Sequence, residues 1–269
     1  MLLEVLEITL KAGNAIMEIY DGFTEVSYKT DDSPVTNADR MANDLIRAEL
    51  FNEFPDIPFI TEEAVNLDYS VRQHWDLCWL IDPIDGTREF INKNGEFTVN
   101  IALAKQGIPV FGVVYAPAMN VLYFTNNESS FKTITNADST PESIVKQGIK
   151  LPFAETNSDY TIAISRSHQN ETTLNYIQRL EQSGMNVNLI PMGSSLKICM
   201  VAEGTANEYP RFGTTMEWDT AAAHAIALNA GCSLADITDN KEILYNKQSL
   251  VNPQFITRSK KVYGQHGQS

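Results

Sequence analysis

Apolar residues at Leu3, Leu6, Leu10, Ile16 and Ile19, with apolar neighbours at three- and four-residue steps, predict an amphipathic helix over residues 2–20. Gly22 can end it. A second helix is expected from about Thr36 through Leu45, Ile46 and Leu50, stopping near Phe54 because Pro55 cannot continue it. Between the two lie a short strand and the loop Thr30-Asp31-Asp32-Ser33-Pro34. The apolar run from Leu77 to Ile81 reads as a buried strand broken at Asp82-Pro83. Thr98 to Ala104 and Val110 to Tyr115, around Lys105–Pro109, read as a hairpin, and Val121 to Thr125 as a further antiparallel strand. The first half is therefore expected to set helices on a largely antiparallel sheet.

Residues 126–158 are polar and poor in pattern, which places a boundary near residue 155. Beyond it the pattern alternates: strand at Thr161 to Ser165, helix near Glu171 to Gln182, strand at Val187 to Pro191, helix near Ser195 to Ala202. A last helix runs from Asp219 to Asn229, before Gly231. Such alternation favours an α/β layer. The expected division is an N-terminal α+β lobe, 1–155, and a C-terminal α/β lobe, 156–269.

A chain of 269 residues with 43% hydrophobic and 20% charged residues has the balance of a globular protein. The formal charge of -14, with no basic run to offset it, argues against nucleic acid as a partner. A small anionic substrate stays open, because divalent cations invert the local field of an acidic site. Cys78, Cys199 and Cys232 sit in apolar stretches and read as reduced core thiols. Glu4, Glu7 and Lys11 interrupt the first helix, and no segment is apolar enough to span a bilayer, so a cytoplasmic protein is expected.

Chemistry concentrates in Asp82-Pro83-Ile84-Asp85-Gly86-Thr87, where an apolar strand delivers two carboxylates to a turn. Asp82, the Ile84 carbonyl and Asp85 are hard oxygen donors of the kind Mg²⁺ prefers, and Gly86 and Thr87 offer free amides to a phosphate if they open a helix. An ordinary Asp-Pro-Gly turn accounts for the same letters. Glu62 and Glu63 follow the apolar pair Phe59-Ile60 and read either as site acids or as solvated loop charges. Asp219 reads as a ligand or a first-turn helix acid, and Asp39 equally as a functional group or the acid of a capping box with Thr36. His74, His168, His224 and His266 lack metal spacing, and His224, among alanines, reads as a core residue. No Ser-His-Asp order, phosphate-binding Walker loop or dinucleotide fingerprint is present.

The ordered set Asp39, Glu62-Glu63, Asp82 to Thr87 and Trp218-Asp219 resembles the lithium-sensitive inositol monophosphatase superfamily. Asp32 to Thr36, Asn94 to Asn100, Gly193-Ser194-Ser195-Leu196-Lys197 and Tyr209-Pro210-Arg211-Phe212-Gly213 are similar to segments of the bacterial 3′(2′),5′-bisphosphate nucleotidases within it. The resemblance implies a layered α/β/α/β/α sandwich, with the site between the lobes and most metal ligands in the first. It implies two to three Mg²⁺ ions: Glu62, Asp82 and the Ile84 carbonyl on one, Asp82, Asp85 and Asp219 on a second, and a weaker third. Asp39, Glu62 and Thr87 would be catalytic, Thr87 paired with Asp39 to orient the attacking water. Gly86, Thr87, Gly193, Ser194, Lys197, Arg211 and Asp219 would meet the substrate. Arg88 stands where a lysine is usual, and Thr214 where a proline commonly follows the Arg-Phe-Gly triplet.

The implied activity is hydrolysis of adenosine 3′,5′-bisphosphate to AMP and phosphate by metal-activated water, in sulfur metabolism. A monomer or homodimer is implied, in the cytoplasm, with room for peripheral association at the inner membrane. The competing enzyme is an inositol or sugar-phosphate phosphatase with the same metal site. A non-catalytic protein would leave all of these acids as caps and turn residues.

Overall fold

The computed structural model describes residues 1–29, 34–154, 160–167 and 170–259. The boundary expected near residue 155 lies outside them, as do Asp32, Ser33, His168 and His266. Helix α1 spans Leu2–Asp21 and α2 spans Asn37–Glu53, joined through a two-stranded ribbon of β1 (Val26–Tyr28) and β2 (Pro34–Thr36). Thr36 caps α2: its side chain accepts from the amides of Ala38 and Asp39, and the Asp39 carboxylate returns to the Thr36 amide. The apolar stripes of the two helices, Val5, Leu6, Ile16, Ala42, Ile46 and Leu50 among them, are buried in one core with a large sheet.

That sheet takes β3 (Phe59–Thr61), β4 (Leu77–Asp85), β5 (Thr98–Lys105), β6 (Ile108–Ala116), β7 (Val121–Asn126), β8 (Ser129–Ile134) and β9 (Ile149–Lys150) in sequence order. β3 runs parallel to β4, and every later pairing is antiparallel. Three expectations are corrected. The strand does not break at Asp82-Pro83 but continues to Asp85, with the β4–β5 register shifting between Asp82 and Asp85. Proline has no amide for the ladder, so the strand bulges there instead of ending. The hairpin turn is only Gln106-Gly107, both at positive φ, and Pro109 lies inside β6 opposite another irregularity in the register. Residues 126–158 hold β8, a helix at Pro141–Gln147 and β9. These are short and partly exposed at the sheet's edge, so their hydrophobic signal is weak.

Past residue 159 the chain forms β10 (Tyr160–Ser165), a helix at Glu171–Gln182, β11 (Val187–Met192), a helix at Leu196–Glu203, β12 (Glu208–Arg211), a helix at Glu217–Asn229, β13 (Cys232–Asp236) and β14 (Phe255–Ser259). The second sheet has the order β11-β10-β12-β14-β13. β10 is parallel to β11 and β12, while β14 is antiparallel to both β12 and β13.

The helices at Leu196–Glu203 and Glu217–Asn229 lie between the sheets. The first packs on β10, β12 and β14; the second packs on β4, β5 and β6 on one side and on β13 on the other. Its residues from Thr220 to Ala227 are all buried, which is the pattern of a helix enclosed between two layers. It approaches the large sheet so closely that a Cβ at Gly112 in β6 would sit 2.2 Å from the Ala222 carbonyl oxygen. The Glu171–Gln182 helix covers the outer side of the second sheet. The layers are therefore α/β/α/β/α, the architecture expected above. Cys78, Cys199 and Cys232 are buried thiols, the Cys232 sulfur lying 3.6 Å from the Val201 carbonyl oxygen. His224 is buried too, its ring nitrogens 2.9 Å from the Tyr245 hydroxyl and 3.0 Å from a Glu242 carboxylate oxygen.

Candidate active site

The carboxyl end of β4, the end of β3 and the start of the Glu217–Asn229 helix meet at one cleft of about 280 Å³, near the lower end of small-molecule sites. One carboxylate oxygen from each of Glu62, Asp82 and Asp219 lies within 4.8 Å of the others. Three remote stretches of chain thus supply a cluster of hard oxygen donors. Asp82 is fully buried and turned inward by its own backbone, the Ile84 amide donating to its Oδ1 at 3.1 Å. Asp219 occupies the third position of its helix, where Oδ2 accepts from the Met216 amide at 2.9 Å. Asp219 is thus a first-turn acid of its helix, and the same side chain lines the cleft.

Asp85 lines the same cleft, with Oδ2 accepting from the Ser195 amide at 2.6 Å. The bulge in β4 is what turns both acids toward the cleft. Gly86 follows at positive φ and caps a short helix, Thr87–Ile91, whose first amides are left free for an acceptor. The Thr87 hydroxyl lies 3.2 Å from Asp39 Oδ1 and 3.4 Å from the Ile84 carbonyl oxygen. Asp39 therefore caps α2 with one oxygen and reaches the site with the other.

Electrostatics explain what such a cluster asks for. Burial, reinforced by Glu62, Asp85, Asp219 and Asp39, holds Asp82 well above the usual carboxylate range. Burial, then Asp85 and Glu62, does the same to Asp219. Burial pushes Asp85 up to about 6 against the pull of Lys197 and the Ser195 amide. A divalent cation removes that repulsion, and carboxylates with a carbonyl are the donors it takes, so the residues fit one. In the cation-free protein, folded Asp85 keeps its proton up to about pH 6, whereas the unfolded chain releases it near pH 4. The folded state then binds more protons, and stability falls as pH rises through that window. The melting-temperature gap between Mg²⁺-saturated and chelator-treated protein is expected to widen from pH 4 to pH 7. A gap independent of pH would refute the assignment.

Basic side chains line the same cleft. Lys197 is buried, donates to the carbonyls of Ser194 and Met192, and is pulled down to about 8 by burial against the attraction of Asp85. Arg211 donates to the Thr214 carbonyl at 2.9 Å, while its Nε is buried without a protein partner. The Ser194 hydroxyl is likewise buried and unpartnered, on a residue at positive φ. Gly193 does not line the cleft: its amide donates to Glu96 at 2.7 Å.

Two residues that the sequence pattern does not single out stand at or beside the cleft. Lys29 bridges Glu62 at 2.7 Å and Glu63 at 2.6 Å, and both glutamates raise its pKa beyond what burial lowers. Glu89 is buried, lines the cleft and accepts from the Ser167 hydroxyl. An acid two residues after Thr87 is visible as a letter but not as buried. Nothing in the chain pattern marks Lys29.

The sequence profile of the Inositol monophosphatase family matches residues 2–265. The chain is 45% identical over 258 residues to the 3′(2′),5′-bisphosphate nucleotidase CysQ of Salmonella typhimurium, covering 95% of this chain and 98% of that one. It is 42% identical over 233 residues to the nucleotidase of the same name from Buchnera aphidicola, covering 86% and 82%. Among solved structures, CysQ from Bacteroides thetaiotaomicron superimposes with a TM-score of 0.86 at 43% identity, covering 96% of each chain.

Proposed function

Since the chain belongs to the inositol monophosphatase family, whose enzymes are Mg²⁺-dependent phosphatases, we propose that it is a 3′(2′),5′-bisphosphate nucleotidase that converts adenosine 3′,5′-bisphosphate to AMP and phosphate. The observation that carries this reading is the Glu62–Asp82–Asp219 cluster, gathered around the buried Asp82, in a cleft that Lys197 and Arg211 also line. Carboxylates suit the cations that bind a reacting phosphate, and the basic groups suit a second phosphate.

Two to three ions would be held by Glu62, Asp82 and the Ile84 carbonyl and by Asp82, Asp85 and Asp219, all of which line the cleft. When bound they supply Lewis-acid chemistry, neutralising phosphate charge and acidifying water. The residues around them position the reactants. Gly86 and Thr87 present amides to the reacting phosphate, and the Thr87 hydroxyl, backed by Asp39, orients the incoming water and relays its proton toward that carboxylate. Ser194, Lys197 and Arg211 hold the nucleotide. The half up to about residue 155 contributes Glu62, Asp82 and Asp85, and the other half Asp219 and the basic wall. Lithium sensitivity and a role in clearing a by-product of sulfate assimilation belong to the same reading. Among the described residues no helix is long and apolar enough to cross a membrane.

The deciding measurement is phosphate release from adenosine 3′,5′-bisphosphate and from inositol 1-phosphate, each with Mg²⁺ and with a chelator. The bisphosphate is expected to be turned over with a kcat/KM higher by at least tenfold, and only with Mg²⁺. A preference for inositol 1-phosphate would turn the reading to an inositol phosphatase, and silence on both substrates would end it.

A further inference from the structure

We propose that Glu96 is a positioning residue for this reaction: it fixes the 193–195 turn, and through that turn the orientation of Asp85 and Ser194. The inference rests on the phosphatase reading of the cleft.

Glu96 stands just before β5, its amide bonded to Asn94 Oδ1 at 3.0 Å, so the side chain starts from a fixed point. That side chain is only 13% exposed. Its two oxygens receive three donors from two separate loops of the second half. Oε2 accepts from the Gly193 amide and from Arg166 Nε, both at 2.7 Å, and Oε1 accepts from an Arg166 terminal nitrogen at 2.7 Å. Arg166 is tied in turn to the Pro191 carbonyl at 2.9 Å. A two-pronged guanidinium contact with a further amide is the strong form of a charged hydrogen bond, unlike a single exposed pair.

Gly193 packs on the same residue. A Cβ there would lie 2.5 Å from the Glu96 carbonyl oxygen, 2.8 Å from Glu96 Cβ and 2.9 Å from Glu89 Cγ, so glycine fits this position with Glu96 and Glu89 packed against it. The next two residues carry the arrangement into the site. Ser194 takes φ +48° with its hydroxyl buried and unpartnered at the cleft. Ser195 donates its amide to Asp85 Oδ2 at 2.6 Å, and its hydroxyl is held 2.9 Å from Asn100 Oδ1 and 3.0 Å from Thr98 Oγ1. The turn is thus gripped at both ends from the large sheet, and Glu96 is the grip at its start.

A plain strut between the halves would affect stability alone; a positioning residue also sets ligand affinities. Glu96→Ala, Glu96→Gln and Arg166→Met are compared with the parent by steady-state kinetics at saturating Mg²⁺ and by calorimetric titration of Mg²⁺. Glu96→Ala is expected to raise KM for the bisphosphate about tenfold or more, with a much smaller change in kcat, and to weaken Mg²⁺ binding several-fold. Glu96→Gln, which can still accept the Gly193 amide, should recover most of the loss, and Arg166→Met should show less than half of the Glu96→Ala effect. If KM and Mg²⁺ affinity in Glu96→Ala stay within twofold of the parent while the melting temperature drops, Glu96 is a strut and the inference fails. Should Glu96→Ala not fold, unchanged KM and Mg²⁺ affinity in both other variants overturn the inference equally. A parent inactive on nucleotides overturns the phosphatase reading instead, and the Mg²⁺ titration still decides whether Glu96 fixes Asp85.

Discussion

Asp82→Asn is expected to cut turnover about a thousandfold while raising the melting temperature of the cation-free protein. Both effects come from one carboxylate. Asp82 lies at the centre of the acid cluster, fully buried, and every influence named for its titration disfavours the charged form. Replacing it with the isosteric amide removes a charge that folding had to desolvate beside Glu62, Asp85 and Asp219. The amide oxygen can still accept from the Ile84 amide, so the bulge of β4 keeps its local bond. The same change leaves bound cations with one anionic donor fewer, and several kcal/mol of charge stabilisation goes with it. The measurements are kcat across a Mg²⁺ titration and a thermal melt in chelator. More than a tenth of parental activity at saturating Mg²⁺ would remove Asp82 as a ligand, and a lower cation-free melting temperature would contradict the electrostatic account.

Arg211→Ala is expected to lower kcat/KM for the bisphosphate about ten- to a hundredfold, the loss of a charged hydrogen bond worth about 1.5–3 kcal/mol. One terminal nitrogen of Arg211 is spent on the Thr214 carbonyl, which aims the guanidinium, and its buried Nε has no protein partner. Arg211 lines the cleft, and the planar fork of donors of a guanidinium suits a phosphate that does not react. Activity on a monophosphate lacking that group should change much less, because the acid cluster is untouched. Kinetics on both substrates in both proteins test this. Equal losses would mean general damage to the site and would dismiss Arg211 as the reader of the second phosphate.

Much of this was legible because local chemistry and tertiary role agree. The Thr36–Asp39 capping box, the helix stop before Pro55 and the apolar run into Asp82 each leave a signal in consecutive residues. Asp39 and Asp219 show the limit of such signals: each caps a helix and also reaches the site, and no local pattern separates the two roles. Other features depend on partners far along the chain. The Lys29 bridge to Glu62 and Glu63 spans more than thirty residues. Gly193 illustrates the difficulty in another way: family likeness points it at substrate, whereas its amide and its missing Cβ both answer to Glu96, 97 residues away. The elements at β8, β9 and the Pro141–Gln147 helix escape a reading of the sequence because half-exposed edge segments need little hydrophobic pattern.

The helix Glu217–Asn229 touches both sheets and carries Asp219 at its first turn, and the largest buried cluster runs from the large sheet through it to the second sheet, beside the core that α1 and α2 share with the large sheet alone. A hinge needs two bodies that stay intact as they part, and here parting would strip that helix from one of them. Asp219 is thereby fixed against both sheets, and the floor of the cleft is expected to keep its shape. The same geometry predicts that the two halves lose structure together, because parting them would expose the cluster that this helix shares with both sheets.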